Sequence, residues 1–175
     1  MLIAIGSSPD RAEWLEACSG SIGREHIVVS NWGFELGKIR WVMENTTADR
    51  FLFLQDSWVV KTPDFFKLLD DMVGSVALTA DPYFFGCFAG VYERWVIEDI
   101  GLPVIETKFE AVQAERHWHE SYVMTAGEPA VLFPELTDEN ASEVRFHNGR
   151  ENLILENEYV RKYKGTWRED QLLRT

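Results

Sequence analysis

Basic residues are scarce in this chain of 175 residues. Lys and Arg total 17 against 29 Asp and Glu, giving a net charge of −12 and a pI near 4.7. Such a surface repels phosphate backbones and anionic lipid, which excludes bulk nucleic acid and membrane surfaces as main partners. Cysteine is nearly absent. Cys18 and Cys87 fit no metal or redox spacing and read as free thiols in a reducing, cytoplasmic setting rather than as a disulfide. No apolar run approaches the roughly 18–20 residues of a membrane-spanning helix. The opening Met1-Leu2-Ile3-Ala4-Ile5-Gly6 has no basic flank before it, is too short for a signal peptide, and reads as a strand. Walker loop, dinucleotide fingerprint, zinc spacing and Gly-x-Ser-x-Gly elbow are all missing. His117 and His119 are two apart, so on a helix they point to nearly opposite faces and cannot share a metal.

What remains is a globular composition. Hydrophobic residues make up 46% and aromatics 13%, with seven Trp and eleven Phe. That predicts one folded domain with an aromatic-walled core or cleft. Leu2–Ile5 is a strand. Ser8-Pro9 reads as a helix start, with the helix running from about Pro9 to Cys18 and Gly20 and Gly23 ending it. His26–Ser30 is a second strand. Phe34, Leu36, Ile39, Val42 and Met43 recur at helical spacing up to Asn45. Glu35, Lys38 and Arg40 lie off that row, as a solvated helix face would. Phe51–Val60 is a third strand, so the first part reads β-α-β-α-β, a parallel sheet with right-handed crossovers. Thr62-Pro63-Asp64 opens a helix that stops near Gly74, and Val76–Thr79 is a strand. An aromatic segment cut by small residues spans Tyr83–Tyr92. A short helix from Glu93 ends at Gly101. A longer one runs from Glu106 to about Val123, with Phe109, Val112, Arg116 and His119 on one row. Ala130–Phe133 is the last clear strand. The expected fold is a single-domain, three-layer α/β/α sandwich with a mostly parallel central sheet.

The chemistry concentrates in three places. Phe51-Leu52-Phe53-Leu54 is an apolar strand that runs into Gln55-Asp56-Ser57. Polar side chains at a strand's carboxyl end stand where open α/β sheets bind ligands; the plainer reading is a turn toward the next helix. Gly6-Ser7-Ser8 before a helix could hold a phosphate. The segment Lys162-Tyr163-Lys164-Gly165-Thr166-Trp167, with Arg168 after it, is a basic patch in an acidic chain. It could meet a diphosphate, or simply balance the acidic surface.

In order and pattern, the first two-thirds of the chain resembles a compact glycosyltransferase of the GT-A type. There an apolar strand runs into an Asp-x-Asp motif, the place held here by Gln55-Asp56-Ser57. A glycine-rich segment near the sugar follows, matched by Phe85-Gly86-Cys87-Phe88-Ala89-Gly90, and then a short helix with an arginine and a Gly-x-Pro stop, matched by Arg94 to Pro103. The resemblance implies a hexosyltransferase-type enzyme that takes a sugar from a nucleotide-diphosphate donor to an acceptor hydroxyl. Residues 1–80 would be the nucleotide-binding half and 81–175 the donor-sugar and acceptor half with its basic tail. It implies that Ser7, Arg11 and Glu35 meet base and ribose. Gln55, Asp56, Ser57, Gly86 and Gly90 would meet the donor, with Lys162, Lys164 and Arg168 near the diphosphate. Asp56 and His147 would hold Mn²⁺ or Mg²⁺. Glu115, then Glu110, would be the base in an inverting reaction; a retaining reaction needs none.

Both outer carboxylates of the motif are missing. A metal with fewer carboxylates and a metal-independent site neutralised by the basic tail both stay open, the metal being favoured. The chain is short for such an enzyme. Its acceptor, whether protein, glycan or small molecule, would meet a shallow site or one completed by a second subunit, as in a homodimer. Small stand-alone enzymes of this kind also occur in phages. Two other classes remain: a non-catalytic nucleotide- or glycan-binding module, favoured by the lost carboxylates, and a nucleotidyltransferase, for which Gly6-Ser7-Ser8-Pro9-Asp10-Arg11 is a poor phosphate loop.

Overall fold

A computed structural model describes residues 1–30, 33–80, 88–136 and 153–164, without the side chains of Lys108, Val112 and Lys164. Its centre is the buried apolar strand β3 (Arg50–Gln55) beside β1 (Leu2–Gly6). They pair in parallel from Leu2↔Phe51 to Gly6↔Gln55. On the other side of β1 lies β2 (Ile27–Val29), also parallel. Helix α1 (Ala12–Ile22) connects β1 to β2, and α2 (Phe34–Asn45) connects β2 to β3. The expected β-α-β-α-β start is therefore present.

Beyond β3 the sheet is mixed. The strand β6 (Gly90–Glu93) pairs antiparallel with β3 and with β5 (Val76–Thr79), and β7 (Ala130–Phe133) runs parallel to β5. The six-stranded order is β2-β1-β3-β6-β5-β7. Helices α3 (Asp64–Asp70), α4 (Arg94–Ile100) and α5 (Lys108–Ala126) complete one compact α/β domain.

The period-2 alternation of the strands divides their side chains between two cores. Ile3, Ile5, Leu52 and Leu54 pack with Cys18 and Ile22 of α1 and Phe65 and Phe66 of α3. Ala4, Phe51 and Phe53 pack with Leu36, Ile39 and Val42 of α2 and with Val96, Trp118 and Tyr122 of α4 and α5. Helices α1 and α2 thus cover opposite faces. Each fully buried Phe or Leu adds about 1.5–3 kcal/mol of apolar burial. Tyr92 lies among Phe51, stacked at 5.8 Å, and Tyr122, edge-on at 5.4 Å.

Four local expectations change. First, Phe51–Val60 is two strands. The β1–β3 ladder closes with Asp56 N donating to Gly6 O at 3.0 Å. The chain then turns, and β4 (Trp58–Val60) joins a separate three-stranded sheet, β4-β9-β8. The hairpin of β8 (Leu153–Glu156) and β9 (Val160–Lys164) completes that sheet. Second, Ser8-Pro9 forms a turn, Arg11 N to Ser8 O at 3.0 Å, and the helix begins at Ala12. It runs through Gly20 and ends at Gly23, whose φ of +60° suits glycine. Third, α3 ends at Asp70, ahead of Gly74. Fourth, the buried row of α5 is Ala111, Trp118, His119 and Tyr122, while Phe109 at its start is 69% exposed. Among the described residues no helix is long and apolar enough to cross a membrane.

Candidate functional site

Polar groups gather at the carboxyl ends of β1 and β3. Gly6 closes β1, and a Cβ there would come within 2.6 Å of the buried Phe53 ring and 3.0 Å of Lys38 Cδ. Glycine lets the strand end pass under both. The next residue, Ser7, is buried and its Oγ donates to Asp56 Oδ2 at 2.8 Å. Arg11 Nε donates to both oxygens of Asp56 at 2.9 Å. The Asp56 side chain is only 6% exposed, the Arg11 side chain 32%. The guanidinium also lies over the Trp14 ring, 4.7 Å from its centre. Asp56 is thus a buried carboxylate held by an arginine and a hydroxyl.

Gln55 and Ser57, on either side, are held from the far end of the chain. Lys162 of β9 is buried, and its Nζ donates to Gln55 Oε1 at 2.7 Å and to Ser57 Oγ at 2.5 Å. It also stands 5.3 Å from the Trp58 ring centre. The register that pairs Trp58 with Lys162 puts it there. Lys162 is therefore a buried brace of the Gln55–Ser57 turn, where the sequence suggested an open basic tail. Arg161 of that tail pairs with Glu156 at 2.9 Å.

Gln55 Nε2 reaches on to Glu35 Oε1 at 3.2 Å, and Lys38 Nζ meets the same oxygen at 3.3 Å. Lys38 is 6% exposed, so the solvated-face reading of Glu35 and Lys38 is corrected. These two line a cleft of about 390 Å³ with Ser7, Ser8, Pro9, Gly33 and Phe34. Phe34 sits at φ +37°, a strained position for a non-glycine residue, at the mouth of α2.

Glu115 of α5 stands close enough to feel Glu35 and Lys38. Burial first, and then the Glu35 charge, push its carboxyl up to about 8, with Lys38 opposing. Glu110 has a different job. Its carboxylate accepts Thr107 N at 3.0 Å and Glu106 N at 3.1 Å, while Thr107 Oγ1 accepts Glu110 N. It closes the α5 capping box, and those hydrogen bonds hold its carboxyl below the usual range. A base role at Glu110 would compete with the cap. Cys18 is buried under the site, its thiol pushed up to about 12, chiefly by burial and then by the Asp56 charge.

Glu115 yields a pH prediction. Unfolded, it ionises near the ordinary glutamate value; folded, it keeps its proton to about pH 8. Stability is therefore full below the unfolded value and is lost as pH rises toward 8. Glu115→Gln removes that loss. The variant should melt level with the natural protein near pH ~4.5 and above it near pH ~9. The full shift corresponds to about 5 kcal/mol. With the residue only half-buried, about 2–3 kcal/mol of it should survive solvent screening, or roughly 5–10 °C. Melting curves across that range check this; a pH-independent difference would contradict it.

The site residues fall into three groups. Ser7, Arg11, Gln55, Asp56 and Ser57 come together, joined by Lys162, with Glu35 bridging to the cleft. Gly90 opens β6 opposite Phe53 of β3, two residues before Gln55. Gly86, His147 and Arg168, and the Lys164 side chain, lie outside what is described. Lys38 and Trp14 were missed. Their signal was position: each is three residues from a site residue, Lys38 from Glu35 and Trp14 from Arg11, on a helix leaving the same sheet edge.

The fit to a divalent ion is poor at Asp56. Both its oxygens already accept from Arg11, and a dication there would face that guanidinium at contact range, a repulsion of several kcal/mol, by order of magnitude. Among the described residues no group of three or more His, Cys, Asp or Glu converges as metal ligands would.

No protein family matches the sequence, and no curated protein matches it. Among solved structures, A197 from STIV is similar in fold, with a TM-score of 0.49 and 13% identity, over 75% of this chain and 83% of that one. A likeness of that degree assigns no activity.

Proposed function

We propose that this protein is a small glycosyltransferase of the GT-A kind, an α/β/α sandwich that moves a sugar from a nucleotide-diphosphate donor to an acceptor hydroxyl. One observation carries the reading. Ser7, Arg11, Gln55 and Asp56 meet between the carboxyl ends of β1 and β3. From β1 one connection leads outward to β2, and the next returns across to β3, with α1 and α2 on opposite faces. That is a topological switch point, where open α/β sheets bind ligands. The cleft beside it suits a nucleoside, with Ser7 and the Glu35 carboxylate to accept from sugar hydroxyls or base edges and Phe34 among its lining residues.

The reaction breaks the bond between the sugar's anomeric carbon and a diphosphate oxygen. The developing negative charge needs positive charge nearby, which Arg11 and Lys38 supply. In an inverting course Glu115 takes the acceptor proton. A carboxyl held near 8 is mostly protonated at neutral pH, so the rate would rise as pH approaches 8 and level off above it.

A panel of UDP-, GDP-, dTDP- and CDP-sugars tests this by thermal shift and by release of nucleoside diphosphate. One donor at about 100 times its Kd should stabilise by about 2.7 kcal/mol, roughly 5–10 °C here, and should turn over. No shift with any donor would refute the reading. A shift without turnover would favour the non-catalytic binding module. The lost outer carboxylates and the occupied Asp56 speak for that second reading.

A further inference from the structure

The arginine that occupies Asp56 has most of its hydrogen-bond donors to spare. Arg11 spends only Nε on Asp56. Its Nη1 and Nη2 make no hydrogen bond among the described residues, and a third of the side chain is exposed. The buried Asp56 fixes one edge of the guanidinium and the buried Trp14 ring one face. A planar fork held on two sides, with its outer donors open, is a preorganised phosphate receptor. It adjoins the cleft, because Ser7 both lines the cleft and donates to the Asp56 oxygen that Arg11 holds.

We propose that Arg11 binds a phosphate or diphosphate group directly and stands where a metal would otherwise be required, so that the site takes its anionic ligand without a divalent cation. Identifying that ligand as the donor's diphosphate rests on the transferase reading; the anion site itself does not. Asp56 is then a positioning residue. It orients the guanidinium and binds no cation. The buried Lys38 adds positive charge along the same edge of the cleft.

Calorimetric titration of pyrophosphate and of UDP, GDP, CDP and dTDP, each in EDTA and in Mn²⁺, tests this. The expected result is binding in EDTA that Mn²⁺ does not strengthen, weakened about tenfold or more in Arg11→Gln and less in Arg11→Lys. Arg11→Lys keeps a cation beside Asp56, so it serves should Arg11→Gln fail to fold. If one nucleoside diphosphate binds in EDTA much more tightly than pyrophosphate and the Arg11 variants weaken it, both the anion site and the donor reading stand. If pyrophosphate matches every nucleotide while Arg11 still matters, the anion site stands and the donor reading falls. Binding that requires Mn²⁺ overturns the inference and leaves the donor reading intact. Binding in EDTA that ignores both Arg11 variants overturns it as well, and so does the absence of binding in either buffer.

Discussion

Asp56→Asn is expected to lower both stability and anion affinity. The substitution keeps the shape and removes the charge. One of the two oxygens that accept from Arg11 becomes an N–H₂ group, and a donor then faces a donor. Breaking a fully buried ion pair costs about 3–5 kcal/mol. Arg11 is a third exposed and can regain water, so about 1–3 kcal/mol is the better expectation. Released from its one fixed edge, the guanidinium should also lose about tenfold in affinity for pyrophosphate or a nucleoside diphosphate, whether Mn²⁺ is present or not. Urea melts and the same titrations measure the two losses. If Asp56 instead held a cation, the loss would appear only with Mn²⁺. Unchanged stability and affinity would remove Asp56 from the site altogether.

Arg94→Ala should cost more stability and no affinity. Arg94 stands at the start of α4 with its side chain 14% exposed. Its Nε donates to Ala48 O at 2.9 Å, Nη1 to Met43 O at 3.0 Å and Nη2 to Thr46 O at 2.8 Å. One guanidinium therefore satisfies the carbonyls where α2 ends and the chain turns into β3. Alanine leaves three of them without that partner, in a partly buried loop. Hydrogen bonds from a charged donor contribute about 1.5–3 kcal/mol each, and they overlap here. A loss of about 3–5 kcal/mol follows, roughly 6–20 °C in melting temperature for this size. Lysine should rescue little, because a single ammonium cannot span three carbonyls set at the corners of a planar fork. Melting curves of both variants give the answer. A small stability change with weakened nucleotide binding would instead give Arg94 a role in the ligand site.

The two residues differ in how far the sequence revealed them. Asp56 follows an apolar run and was legible as a strand-end acid. Arg94 was legible only as part of a short helix with a Gly-x-Pro stop. That its side chain reaches Met43, Thr46 and Ala48, just ahead of β3, depends on β6 pairing antiparallel beside β3, which sets Glu93 opposite Arg50 and which the order of hydrophobic runs does not specify.

By itself the sequence determined the elements whose cause is local. The continuous apolar runs of β1 and β3, the 3.6-residue repeat of α2 and the strand-end position of Gln55-Asp56-Ser57 all follow from side chains within a few residues of one another. The acidic balance likewise follows from composition. The tertiary structure decided whatever needed a partner far along the chain. Val60 and Phe51 belong to different sheets because Lys162, 105 residues beyond Ser57, comes back to hold the turn between them. Lys38 is buried because β1, β3 and α2 converge on one edge. Asp56 binds Arg11, 45 residues before it, because parallel pairing of β1 and β3 brings their carboxyl ends together. A carboxylate's role is set by the charges that surround it, and those are fixed only once distant strands have paired.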